Sequence, residues 1–177
     1  MSLSITDFRS QLPGQGSRPA LFYVQITNPI DSSADAKIQF LCKAAELPPT
    51  NVQTTLVGYK GRQIKIAGEK SYGSWTVTVI NDEDFAIRNA MEAWMNSING
   101  NISNVMSDYG YTSVALVTQQ DKQGNDVRTY RMSAIWPSNI SAMARSFDTT
   151  NIIDEFQVTF NLDFFTAEGI TGSGGND

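Results

Sequence analysis

Several stretches of the chain alternate apolar and polar side chains with a period of two, the signature of half-buried strands. Ala20–Thr27 is rich in aromatic and β-branched residues. Ile38, Phe40 and Cys42 alternate with Gln39, Leu41 and Lys43, and Leu47-Pro48-Pro49 ends that run. Val52–Tyr59 and Gln63–Ala67 flank Lys60-Gly61, a fit to a hairpin turn. Trp75–Ile80 is a short strand with both faces moderately apolar. Thr112–Gln119 and Asp126–Trp136 form a second hairpin around Gln123-Gly124-Asn125, with Tyr130, Met132, Ala134 and Trp136 on one face. Glu155–Phe165 places Phe156, Val158, Phe160, Leu162 and Phe164 on a single side.

One stretch breaks this rhythm. Ile87, Ala90, Met91, Trp94, Met95 and Ile98 recur at three- and four-residue spacing, one stripe of a helix. Asn81 or Asp82 suits its cap, Glu83 and Asp84 suit the positive end of its dipole, and Gly100 suits its exit. The expected architecture is mainly β: two packed antiparallel sheets, sandwich- or barrel-like, with one flanking α-helix. Residues 1–19 read as an N-terminal arm, 20–165 as one β domain, and 166–177 as a flexible Gly-rich tail.

Composition narrows the chemistry. The 177 residues contain no His and a single Cys. This removes Ser-His-Asp and Cys-His nucleophile systems and every His-containing zinc site. No disulfide can form within the chain. No apolar run is long enough to span a bilayer, and the N-terminus lacks the form of a signal peptide, so no membrane partner is expected. The net charge of −5 argues against simple capture of nucleic acid by charge.

Each candidate motif has a plain structural reading. Asn81–Asp84 reads as a helix start, since calcium loops space their ligands further apart. Gly58–Gly61 lacks the spacing of a phosphate loop and reads as a turn. Lys60, Arg62, Lys65 and Lys70 sit within 11 positions, beside Tyr59 and Tyr72; they read as a solvated or subunit-facing hairpin. Cys42 reads as a small buried hydrophobe. Trp75, Trp94 and Trp136 read as core residues. Nothing supports catalysis, cofactor binding or a metal, and the chain is expected not to be an enzyme. A β domain with arms at both ends, a hairpin that projects and open sheet edges points to assembly with other copies.

Seven motifs follow in order: Arg18–Val24, Phe40–Pro48, Gly58–Arg62, Ile66–Glu69, Trp75–Glu83, Ile135–Asn139 and Glu155–Phe160. Together they resemble the tail tube proteins of contractile-tailed (myovirus) bacteriophages, relatives of type VI secretion tubes. The resemblance implies a structural protein of the virion tail, assembled in the host bacterial cytoplasm. It implies hexameric rings stacked into a tube, with four strands per copy in one inner barrel. Implied partners are the chain itself, the tail sheath protein, baseplate and tail-terminator proteins, and, in the lumen, a tape-measure protein and double-stranded DNA in transit. The alternative within this plan is the tube of a phage-derived contractile injection or type VI-like secretion system. Subunit-interface candidates are Phe8 and Arg9 in the arm and Tyr59, Lys60, Arg62 and Lys65 in the hairpin. Twenty-four strands spaced about 4.8 Å apart and tilted roughly 40° give a bore of about 38 Å inside the side chains. A DNA duplex of about 20 Å passes through it. With −5 per chain, six copies bring about −30 per ring, which favours sliding over capture.

Overall fold

The computed structural model describes residues 4–11, 17–103, 105–106, 110–146, 148 and 152–168. The elements run α1 (Ile5–Ser10), β1 (Phe22–Ile26), a 3-10 turn (Ser32–Ala34), α2 (Asp35–Leu41), β2 (Cys42–Ala45), β3 (Thr50–Tyr59) and β4 (Arg62–Tyr72). They continue with β5 (Trp75–Ile80), α3 (Ala86–Ile98), β6 (Ser113–Gln120), β7 (Asp126–Ile140), β8 (Glu155–Asn161) and β9 (Phe164–Glu168). The main path of strands is β1-β6-β7-β8-β5-β2, with β9 branching from β7 and β3–β4 apart as a separate pair. All pairings are antiparallel. The fold is therefore mainly β, two sheets meeting at β7, with one main helix and two short ones among the described residues.

The core lies between the two sheets and under α3. Val24 and Ile26 come from β1, Ala115 and Val117 from β6, and Trp75, Val77 and Val79 from β5. Phe156, Val158 and Phe160 come from β8, and Ile87, Ala90, Met91 and Trp94 from α3. The helix stripe is as the spacing predicts. Its start differs in detail: Phe85, in the left-handed region at φ 53°, is the cap residue. The Asp82 carboxylate still accepts the Ala86 N–H at 3.2 Å, so the acid does cap the helix.

The sheets join at a bend that the period-two reading missed. Ala134 has φ 54°, and the β6–β7 register shifts there. One extra residue on a strand inverts every side chain beyond it. Met132 and Ile135 are both buried as a result, while Trp136 turns to the other face and is only half-buried. Trp136 is thus no core residue; it stands edge-on to Tyr111. Opposite the bend, the expected strand Glu155–Phe165 breaks at Leu162-Asp163. Its first half pairs with β5 and β7, and its second half pairs with β7 alone. Phe164 is left exposed. Strand β9 runs on to Glu168, three residues past the expected end of the domain. The tail beyond Glu168 lies outside the described residues.

A second correction concerns Ile38–Cys42. This stretch is a helix, α2, that ends where β2 begins. Ala34, Ile38 and Leu41, spaced by four and three, face the core, whereas Phe40 is 82% exposed. The helix is anchored by a buried Asn28. Its side-chain nitrogen donates to the Ala90 carbonyl at 3.1 Å, and its oxygen accepts from the Ile30 and Asp31 amides at 2.9 and 3.2 Å. The Asn28 amide donates to the Asp35 carboxylate. Burial raises the Asp35 carboxyl above its ordinary range, against those bonds. Asn28→Ala removes one buried and two partly buried hydrogen bonds, and we expect it to lower unfolding free energy by about 1–3 kcal/mol, read from urea melts.

Candidate subunit interface

Strands β3 and β4 form a ribbon that leaves the body. They continue the β2–β5 ladder in one register, since Ala45 pairs with Val77 and Thr50 with Tyr72. The ribbon departs beside Pro48 and Pro49. Gly73 donates to the Pro49 carbonyl at 2.9 Å. A β-carbon on Gly73 would stand 2.7 Å from the Pro49 ring, so only glycine fits this crossing. At the far end Lys60 and Gly61 have φ 44° and 78°, the two positive values of a type I′ turn.

Every residue from Thr50 to Ser71 is exposed. Cross-strand register divides these side chains between two faces. Thr55/Ile66, Val57/Ile64 and Tyr59/Arg62 share one face. Thr54/Ala67, Leu56/Lys65 and Gly58/Gln63 share the other, which Val52/Lys70 rejoins beyond a bulge at Gly68-Glu69. The first face is an apolar patch of Val57, Tyr59, Ile64 and Ile66, each about half exposed. An isolated two-stranded hairpin is marginal in water, and an apolar face of this kind marks a contact surface.

The structure gathers Tyr59, Lys60, Arg62 and Lys65 at the end of the ribbon, but not on one face. Tyr59 and Arg62 belong to the apolar face, Lys65 to the opposite one, and Lys60 to the turn, with its ammonium 5.3 Å from the Tyr59 ring. Phe8 and Arg9 lie on α1. Ser4 caps this helix, which buries none of its residues; Phe8 is 67% exposed. Val57, Ile64 and Ile66, which the sequence reading did not single out, share the exposed face of Tyr59 and Arg62. They were readable, because a two-residue turn at Lys60-Gly61 pairs 57 with 64 and 55 with 66.

The remaining motifs resolve as structure. Among the described residues, no three His, Cys, Asp or Glu side chains are grouped to hold a metal. Burial pushes the Cys42 thiol up to about 11, which keeps it protonated and unreactive. Asp82 receives a hydrogen bond from Lys37 at 2.8 Å, and that bond holds its carboxyl below the usual carboxylate range. The stabilisation is present above the unfolded-state value of about 3.9 and is lost as pH falls through the folded value. Asp82→Asn is expected to flatten the acid limb of the stability–pH curve, seen as a smaller drop in Tm between pH 5 and 3.

A β body with an unsupported ribbon and sheet margins left open defines a class of structural protein that builds by adding copies of itself. The family model described as phage tail tube protein matches residues 11–168, and the chain belongs to that family. It is 31% identical over 155 residues to tail tube protein gp19 of Enterobacteria phage T4, covering 86% of this chain and 92% of that protein. It is 25% identical over 172 residues to the tail tube protein of Serratia phage KSP90, covering 93% and 96%. The fold is shared with the tube-terminating cap of the anti-feeding prophage, at 18% identity and TM-score 0.65, over 87% of this chain and 91% of that one. It is shared too with a chain of the sheath-tube complex of the extracellular contractile injection system PVC, at 13% identity and TM-score 0.60, over 96% and 100%. The protein is a structural component of a contractile phage tail, the tube itself. Its named relatives are structural tail tube proteins.

Proposed function

We propose that six copies of this chain close into a ring and that rings stack into a hollow tube for delivery of double-stranded DNA. The carrying observation is the β3–β4 ribbon, which extends the β2–β5 ladder out of the body with an apolar face uncovered. Two long strand pairs support the reading. The β2–β3 and β4–β5 paths form one ribbon, and β8–β9 follows β7 in one register from Thr129/Glu168 to Pro137/Phe160. Four long antiparallel paths per copy then supply 24 strands per ring. Residues 20–168 form the tube-building body, β9 included, and residues 1–19 serve as an extension. Phe8, Arg9, Tyr59, Lys60, Arg62 and Lys65 contact neighbouring copies.

Thr76/Thr159 and Thr78/Gln157 lie side by side on the non-core face of β5 and β8. This hydroxyl- and amide-rich face suits a bore wall along which a polyanion slides. The tube stands inside a sheath protein, between baseplate and terminator proteins. Its lumen holds a tape-measure protein before DNA passes, and assembly takes place in the host cytoplasm.

Native mass spectrometry of gently dispersed tubes tests ring number. The chain mass is 19.5 kDa, so six copies give about 117 kDa. Species at multiples of that mass support the proposal. A ladder built on another closed number refutes it.

A further inference from the structure

Within the body, the sheet whose non-core face suits a bore wall is nearly free of charge. Its strands are β2, β5, β8 and the Trp136–Ile140 half of β7. Together these segments contain one cation, Lys43, and one anion, Glu155. The polar side chains that share the face, Thr76, Thr78, Gln157, Thr159 and Asn139, are hydroxyls and amides.

The two charges are joined. Glu155 alternates with the buried Phe156 and Val158, which puts it on the non-core face. Lys43 is the extra residue of the β2 bulge between Cys42 and Ala44. Because β5 lies between β2 and β8, the lysine crosses a whole strand, about 10 Å from ladder to ladder. Its ammonium then stands 2.5 Å from the Glu155 carboxylate. A side chain that spans a strand lies along the wall and does not stand out from it. The neighbouring Asp154 is already engaged by Arg145.

We propose that Glu155 covers Lys43, so that the bore offers a passing polyanion no cation to hold. This rests on the tube reading above and names what makes the wall inert: a cancelled charge, not an acidic lining. A duplex of about 20 Å in a bore of about 38 Å leaves about 9 Å on each side. That gap is close to the Debye length of about 10 Å at 0.1 M salt, so a bare lysine repeated around each ring would act on the duplex. Ammonium groups that meet phosphates release counterions, and the attraction grows with each contact and falls steeply with salt. An ion pair this exposed adds little to fold stability; its effect is on what the bore presents.

The test compares tubes of wild type, Glu155→Gln and the double variant Lys43→Gln/Glu155→Gln. Each is titrated with a short linear duplex and with a closed circular duplex, which cannot thread a tube end. We expect Glu155→Gln tubes to hold the linear duplex at least about tenfold more tightly than wild type at about 50 mM NaCl, and to lose the gain at about 500 mM. The circle should show no gain. The double variant, neutral again, should match wild type, and the melting curves of all three should lie close together. Glu155→Gln tubes that bind the linear duplex no better than wild type overturn the proposal. So does an equal gain for the circle, which puts Lys43 outside the bore. So does a double variant that binds clearly less than wild type, which shows Lys43 already free; this comparison decides the matter even if Glu155→Gln does not assemble. In each case wild-type tubes form, so the tube reading stands. Wild-type protein that forms no tubes under any condition overturns both.

Discussion

Ile64→Asp is expected to leave the purified chain folded and to abolish its tubes. Ile64 pairs with Val57 at the centre of the ribbon's apolar face and is about half exposed in the single chain. The ribbon contributes no residue to the buried core. The body therefore loses nothing when the side chain changes, and Tm should move by no more than about 2 °C, the effect of an ordinary surface substitution. In a subunit contact the accounting reverses. Complete burial of an isoleucine is worth about 1.5–3 kcal/mol, and an aspartate there forfeits it. Desolvating the new carboxylate adds to the cost, only partly offset by Arg62, its neighbour on the same face. At about 1.4 kcal/mol per tenfold, the critical concentration should rise more than about 100-fold. Sedimentation velocity together with a melting curve reads both halves of this result. Unfolded protein, or normal tubes, contradicts the assignment of this face to an interface.

Trp94→Ala carries the largest expected loss of fold stability. Trp94 is completely buried on α3. Its ring lies 6.0 Å from that of Phe160, which in turn lies 5.3 Å from Trp75, so three aromatic rings tie the helix to β5 and β8. Its indole N–H donates to the Tyr111 carbonyl at 2.7 Å and so holds the segment leading into β6. Truncation leaves a cavity the size of an indole in a close-packed interior, and we expect a loss of about 3–5 kcal/mol. Trp94→Phe keeps most of the volume but leaves the carbonyl unmatched, for a loss of about 1–2 kcal/mol. Urea denaturation of both variants gives the two numbers. The same truncation at half-buried Trp136 should cost clearly less, because its cavity opens to solvent.

The sequence made most of the elements legible, for a physical reason. In β1, β5, β6 and α3 the apolar period matches the backbone period, and each element stays on one face of the core for its full length. The errors cluster where a strand changes face or where two periods compete. At Ala134, a non-glycine residue in the left-handed region, nothing in the local composition announces the bend. Without it, Met132 and Trp136 read as one face, and β8 and β9 read as one strand. At Ala34, Ile38 and Leu41 the helical spacing was present, but Ile38, Phe40 and Cys42 offered a competing alternation. Only packing against β1 and α3 decides between them.

The candidate interface was legible to a lesser degree. The turn at Lys60-Gly61 was clear from residue type, and the basic cluster followed from counting. The hairpin was expected to project, and it does, with every residue from Thr50 to Ser71 exposed; how far it extends was not readable, because an uncovered strand has the same alternation as a half-buried one. The division of its side chains between two faces needs the register, which the turn supplies only once its length is known.

Electron microscopy of the purified, concentrated chain tests the central claim most directly, with no other tail component present. Hollow rods of uniform width, with an end-on bore of about 38 Å, are the predicted result. Solitary particles at every concentration, each with its ribbon folded back on its own body, would contradict the account.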